Sequence, residues 1–297
     1  MKKLCGLGIL FLIAVSPTWA WGFFAHKQIN RYAITTLPPA MFSFYKAHLV
    51  YLTEKAVNPD KRRYTIQEEA SNHFIDLEYY VWAAKQKITF KQAVAQYGMA
   101  ALIRHGQLPW AIVKTYTKLV KAFKDKDLPN ILKYSADLGH YVADAHVPLH
   151  TTEQYDGQMT HQEGIHALWE TQLPLLFFDT YTLWIGQAHD IQDPLLHIWT
   201  IIGASHALVP TVLAVERQLA TRYPAWLKYS FQQEGSVLKK KYSIEFATLY
   251  HQSLQGQVEA RLCQSVRAVG SFWFSAWLKA GAPTLEVPPA GIEPATY

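Results

Sequence analysis

Histidine is followed by an acid at a four-residue spacing in two helical patterns that lie close together in this chain, His140 with Asp144 and His166 with Glu170. On a helix that interval stacks two side chains one turn apart on one face, so each pair can offer an imidazole nitrogen and a carboxylate oxygen to a single cation. Pro148 follows the first pair, ends its helix and lets His150 turn back toward that face. A third group is Asp60 with His73 across a loop. Asp76 also lies near His73, and only spacing favours Asp60. Nitrogen and oxygen donors of this kind suit zinc. One such pair is ordinarily a surface hydrogen bond, whereas two pairs and an extra histidine form a set. Histidines and carboxylates buried without partners would be costly, so a metal gives their placement a physical reason.

The N-terminus adds to that set. Met1 to Ala20 has the parts of an export signal: Lys2 and Lys3, an apolar run from Leu4 to Val15, and Thr18-Trp19-Ala20 before the cut. Cleavage after Ala20 would free an α-amine on Trp21, five residues before His26. With an unperturbed pKa of about 8, that amine loses its proton easily beside a metal. A retained anchor is the alternative. The run is short for a bilayer span, and no later stretch of about 18 apolar residues is evident, so no transmembrane segment is expected. The protein is therefore expected to be periplasmic or extracellular.

The 28 basic and 23 acidic residues are too balanced for a nucleic-acid footprint. Once the leader is gone, Cys263 is the sole cysteine, so no intramolecular disulfide can hold the fold. Stability must come from a packed core, helped by metal.

The elements that must position these residues read as helices. Helical patterns run over Trp21 to Leu37, Ala40 to Lys55, Thr89 to His105, Trp110 to Lys124, Leu128 to Val147, Ile165 to Leu173, Asp193 to Arg222 and Ile244 to Ala280. Asn58-Pro59-Asp60 reads as a turn, Lys61-Arg62-Arg63 as a solvated charge cluster, and Thr151 to Glu163 as a polar loop. No segment sustains two-residue alternation, so the fold class is all-α. A single domain over residues 21–283 is expected, with residues 284–297 a disordered tail.

With these motifs in place, the chain resembles the superfamily of bacterial zinc-dependent phospholipase C and the fungal and plant single-strand nucleases. The likeness rests on Asn72-His73-Phe74, on His140-x3-Asp144-x5-His150, on Gly164-Ile-His166-x3-Glu170 and on the tryptophan that would begin the mature chain. It implies a helical fold with three zinc ions in one cleft. One ion would take Asp60, His73, His140 and Asp144. A second would take His150, His166 and Glu170. The third would take the amine and carbonyl of Trp21 with His26, and Asp144 would bridge it to the first.

Such a centre suits phosphodiester hydrolysis by a metal-activated hydroxide, with Asp144 bridging and Asp60 doubling as a proton acceptor. Asp137, one turn before His140, could orient a ligand, and His146 could sit behind the metals or touch substrate. His48, His105, His161, His189, His197, His206 and His251 read as core or surface residues. The aromatic runs Tyr79-Tyr80-Val81-Trp82 and Phe272-Trp273-Phe274 read as core.

Glu170, the Arg267-to-Trp277 segment and the absence of paired cysteines resemble the phospholipase branch. Phe24, Lys61 and Ala70 stand where that branch cradles choline, and Val147 replaces its usual glutamine, so headgroup specificity does not carry over. The expected partner is a phosphodiester, either a phospholipid headgroup met in transient membrane-surface contact or single-stranded nucleic acid. The reading from a different class is a helical binding protein whose zinc only secures the fold.

Overall fold

The computed structural model describes residues 22–183, 185–234 and 237–286, excepting the side chains of Trp82 and Glu234. The expected leader, Trp21 and residues 287–297 lie outside them.

The described chain is all-α apart from one hairpin. Its centre is three long helices, Leu108–Asp125, Leu128–Asp144 and Gln257–Lys279, packed on one another. Each has a physical start. Pro109 and Pro129 sit in first turns, where a missing N–H costs nothing, and the Asp127 side chain accepts from Asn130 N at 3.2 Å. The opening helix, Phe23–Ala33, lies across this centre and carries Ala25, Ile29 and Ala33 into it. Buried aromatics tie the layers together. Tyr45 stacks on Trp273 at 4.9 Å, and Trp273 Nε1 and the Tyr45 hydroxyl both reach Ser135. Tyr80 and Phe272 are buried as the aromatic runs implied, but Tyr79 is exposed and stacks on His105.

Several helices are shorter than their sequence patterns. Ala40 to Lys55 divides into Pro39–Ala47 and Leu49–Lys55, because His48 leaves helical geometry (φ −105°, ψ 18°). The pattern from Thr89 keeps its capping box with Gln92, but Gly98 at φ 77° splits it into Phe90–Tyr97 and Met99–His105. Gly256, at φ 79°, separates Ile244–Ser253 from the last helix. These angles lie in the left-handed region that glycine tolerates. Asn58-Pro59-Asp60 is the first turn of a short helix, Asn58–Arg62, and buries Asp60.

Lys61-Arg62-Arg63 is not a solvated cluster. Arg62 bonds Asp137 at 3.0 Å and Glu69 at 3.2 Å, and Arg63 lies 3.6 Å from Asp60. Strands Tyr229–Glu234 and Val237–Tyr242 form an antiparallel hairpin that alternation did not announce. Thr284 to Glu286 lie at the start of the expected tail, and Leu285 packs against the core.

By length and composition alone one stretch, Pro194–Arg222, could cross a membrane; it contains an 18-residue window of mean hydropathy 1.7, of which 39% is buried. It is two helices, Pro194–His206 and Val209–Arg222. Ile198, Trp199 and Ile202 face the core, and Glu216 is buried against Lys228.

Gly270 explains how the last helix approaches the first turns so closely. A Cβ there would stand 1.9 Å from Thr36 Oγ1 and 3.1 Å from Ala33 O. Alanine would gain about 1 kcal/mol in helix propensity but overpack by about 1–3 kcal/mol. Gly270→Ala is therefore expected to lower stability by about 1–2 kcal/mol in urea unfolding, and an unchanged or raised midpoint would show that the contact is not tight.

Candidate metal centre

Asp144 ends the Leu128–Asp144 helix and is wholly buried. Three imidazoles approach its carboxylate closely. His73 Nδ1 stands 3.0 Å away, His140 Nε2 3.3 Å and His26 Nε2 3.4 Å, and His150 Nδ1 follows at 3.7 Å. The helical pairing of His140 with Asp144 delivers one of these contacts, as the spacing implied. His26 comes from the opening helix and lies flat on His140, with ring centroids 3.8 Å apart. Asp60 Oδ1 is 3.6 Å from His73 and 3.8 Å from His140. Asp76 lines the adjoining cleft and bonds His105 Nδ1 at 3.0 Å. Geometry thus places Asp60, not Asp76, beside His73, and gives His105 an acid partner that its spacing concealed.

The second helical pair meets the same cleft. His166 Nε2 and Glu170 Oε2 are 3.0 Å apart, and His150 Nε2 lies 3.2 Å from the same oxygen. The loop before them sets their entry: Asp156 Oδ1 accepts from the backbone N–H groups of Gly164 (2.9 Å) and His166 (3.1 Å). Glu170 sits in a π-helical turn, Leu168–Gln172, inside an otherwise α-helical run that continues to Phe177. Such turns are frequent at functional sites.

Three donor groups result, each with ligand atoms within 4.8 Å of one another: His26, Asp60 and His140; His73, His140 and Asp144; His150, His166 and Glu170. Backbone carbonyls aim two of the rings. His140 Nδ1 donates to Ala56 O at 2.8 Å and His150 Nδ1 to His73 O at 2.6 Å. Each bond takes up Nδ1 and leaves Nε2 toward the acid side chains, the usual arrangement behind a metal-ligating histidine. Backbone acceptors of this kind leave no mark in side-chain spacing. Burial lowers the His150 ring, but Asp144 and Glu170 outweigh it and push it up to about 9, so ligation there would displace a proton. Asp137, the expected orienter, is taken by Arg62 instead. His146 Nδ1 donates to Val142 O one turn back, and Arg261 bonds the His146 carbonyl, so this residue is held in the core.

The electrostatics suit a cation. Burial pushes the Asp144 carboxyl up, but the charges of His140 and His150 outweigh it and hold the group well below the usual range. Burial raises Asp60 despite His73 and His26. Burial also lowers His26 and His73, which favours the neutral rings that ligation requires. Among the described residues, most buried side-chain nitrogens and oxygens without a hydrogen-bond partner belong here: both ring nitrogens of His26 and His166, both oxygens of Asp60, His73 Nε2, Asp144 Oδ1 and Glu170 Oε1. Leaving so many polar atoms orphaned would cost roughly 1–3 kcal/mol each. Lone-pair donors converging at ligand distances fit divalent cations.

A cleft of about 320 Å³ opens beside them. It is lined by Arg63, Arg104, Phe74, Asp76, Leu149, Glu153 and Tyr155 as well as His73, His150 and His166. Arg63, Arg104 and Tyr155 were not singled out by sequence, because nothing in their spacing ties them to the histidine pairs.

No family profile matches the chain, and no curated protein matches it in sequence. Among solved structures, the chain is similar to the Clostridium perfringens alpha-toxin isolated from avian strain SWCP, with a TM-score of 0.50 and 14% sequence identity. The match covers 90% of this chain and 65% of that one, so the chain spans less than two thirds of the alpha-toxin. At this identity the likeness is one of fold.

Asp144→Asn is expected to weaken zinc retention by at least about tenfold in equilibrium dialysis. His48→Ala should leave it unchanged, since His48 is buried against Phe44 away from the donor groups. Equal losses from the two substitutions would contradict the grouping.

Proposed function

We propose that this chain is an exported zinc-dependent phosphodiesterase of the phospholipase C type. The observation that carries the reading is the convergence of eight histidine and acid side chains in three adjoining donor groups, six of them with a buried nitrogen or oxygen that has no hydrogen-bond partner. His26, Asp60, His73, His140, Asp144, His150, His166 and Glu170 would hold the ions, with the terminal amine and carbonyl of Trp21 completing the set beside His26. Three ions accommodate these donors. Bound zinc supplies Lewis-acid charge for the phosphoryl oxygens and lowers the pKa of water toward neutrality.

The chain's own groups divide the remaining work. Asp144 lies between the rings of His26, His73, His140 and His150, so its two oxygens can serve neighbouring ions. Asp60, whose carboxyl is raised by burial, would take up a proton beside His73. Arg63 and Arg104 line the cleft and offer guanidinium groups to phosphate. Phe74, Leu149 and Tyr155 supply its apolar wall.

Lys61 Nζ lies 5.8 Å from the Phe23 ring, and a resident ammonium there opposes a second cation such as choline. A nuclease reading has one observation of its own: Tyr155 is 46% exposed with its ring 6.1 Å from that of His166, a position from which it could stack on a base.

The test is turnover of bis-p-nitrophenyl phosphate, phospholipid emulsions and single-stranded DNA by zinc-loaded protein beginning at Trp21. Hydrolysis of the soluble diester is expected, with His150→Ala lowering it at least about 100-fold. Turnover of none of the three would leave zinc a structural role only. Residues retained before Trp21 should reduce zinc content and rate together; full loading and normal rates would remove the terminus from the ligand set.

A further inference from the structure

The 229–242 hairpin has a surface that the cleft does not use. Neighbouring residues of a strand point to opposite faces, yet Val237 (55%) and Leu238 (63%) are both exposed. Phe231, on the partner strand, is 66% exposed. The outer half of the hairpin therefore has apolar side chains uncovered on both faces. Trp226 (79%) and Ile244 (60%) flank its base. A two-stranded hairpin with no covering layer is marginal in water. This one is secured at its root instead. Lys228 Nζ meets Glu216 Oε1 at 2.6 Å, Tyr242 OH donates to the same oxygen at 3.1 Å, and Gln172 Nε2 donates to Tyr242 O at 2.8 Å.

The charge on the hairpin has one dominant sign. Residues 229–242 contain Lys239, Lys240 and Lys241 against the single acid Glu234. Lys240 lies 3.7 Å over the Tyr229 ring. A groove of about 300 Å³ runs between the hairpin and the helix that carries His166 and Glu170, and Leu175, Leu176, Lys240, Lys241 and Ile244 line it. Leu175 is 57% exposed. Exposed aromatic and aliphatic side chains interleaved with lysines match the boundary of an anionic bilayer, where rings and alkyl chains enter the headgroup zone and ammonium groups meet phosphate.

We propose that this hairpin docks the protein on anionic lipid surfaces. Gln172 joins its root to the helix bearing the His166–Glu170 pair. The inference deepens the phosphodiesterase reading but does not depend on turnover.

The experiment is co-sedimentation of zinc-loaded protein with sucrose-filled vesicles of pure phosphatidylcholine or with about one third phosphatidylserine. Wild-type protein is expected to bind the anionic vesicles more tightly, with affinity falling as salt rises. Replacing Lys239, Lys240 and Lys241 together by glutamine should weaken that binding about 100-fold, at roughly fivefold per lysine. Phe231→Ser with Leu238→Ser should weaken it at least about tenfold. Both variants should keep the wild-type unfolding midpoint and the wild-type rate on bis-p-nitrophenyl phosphate. Wild-type protein that ignores anionic vesicles, variants that bind undiminished, or a concentration-dependent dimer abolished by the Phe231 and Leu238 changes would each overturn the proposal. Failure of the hydrolytic reading would appear separately, as no turnover of the soluble diester with vesicle binding intact.

Discussion

A carboxylate with no exposed surface, ringed by four imidazoles, is the constraint on which this structure depends. Asp144 occupies that position, and three layers of the fold meet to make it. The Leu128–Asp144 helix supplies the acid and His140, the opening helix brings His26, and the segments around His73 and His150 close the remaining sides. Taken from water alone, such an anion would be expensive to bury. Imidazoles offset part of that cost in the metal-free chain. Divalent cations would offset more of it while also engaging the lone pairs that the rings leave unused. Metal uptake by these residues would be coupled to folding, as expected of a site assembled from distant parts of a chain.

Around that centre the supporting shell is fixed by backbone and ion pairs rather than by further ligands. Ala56 O and His73 O take up Nδ1 of His140 and His150. Arg62 neutralises Asp137 and Glu69 one layer out, and Tyr141 donates to Glu69. Arg62 is held more firmly protonated than usual, since these acids outweigh its burial. Close packing completes the support. Asn30 Nδ2 reaches Leu52 O and Ala136 O at 3.2 Å each, joining the opening helix to the two that flank it. Gly139 permits this approach, since a Cβ there would stand 2.0 Å from Asn30 Oδ1.

The pairs His140 with Asp144 and His166 with Glu170 were legible because helical geometry converts a four-residue interval into adjacency. The helices themselves were legible from their apolar stripes. What escaped depends on contacts between segments far apart in sequence. Arg62 resembles any exposed arginine until Asp137, 75 residues later, arrives beside it. His105 looks unpaired until Asp76 swings toward it. Carbonyl acceptors such as Ala56 O carry no side-chain signature at all. Gly98 and Gly256 did mark breaks, and the longer periodic pattern on either side masked them. The hairpin was missed because both of its outer faces are exposed, so no buried face imposes an alternating pattern on its sequence.

The most direct measurement of the central claim is anomalous diffraction from crystals of the zinc-loaded protein beginning at Trp21, recorded on both sides of the zinc absorption edge. The account predicts edge-dependent peaks within coordination distance of Asp144, His26 and His73 and a further peak among His150, His166 and Glu170. Anomalous density absent from this cleft, or confined to surface histidines such as His161, would contradict it.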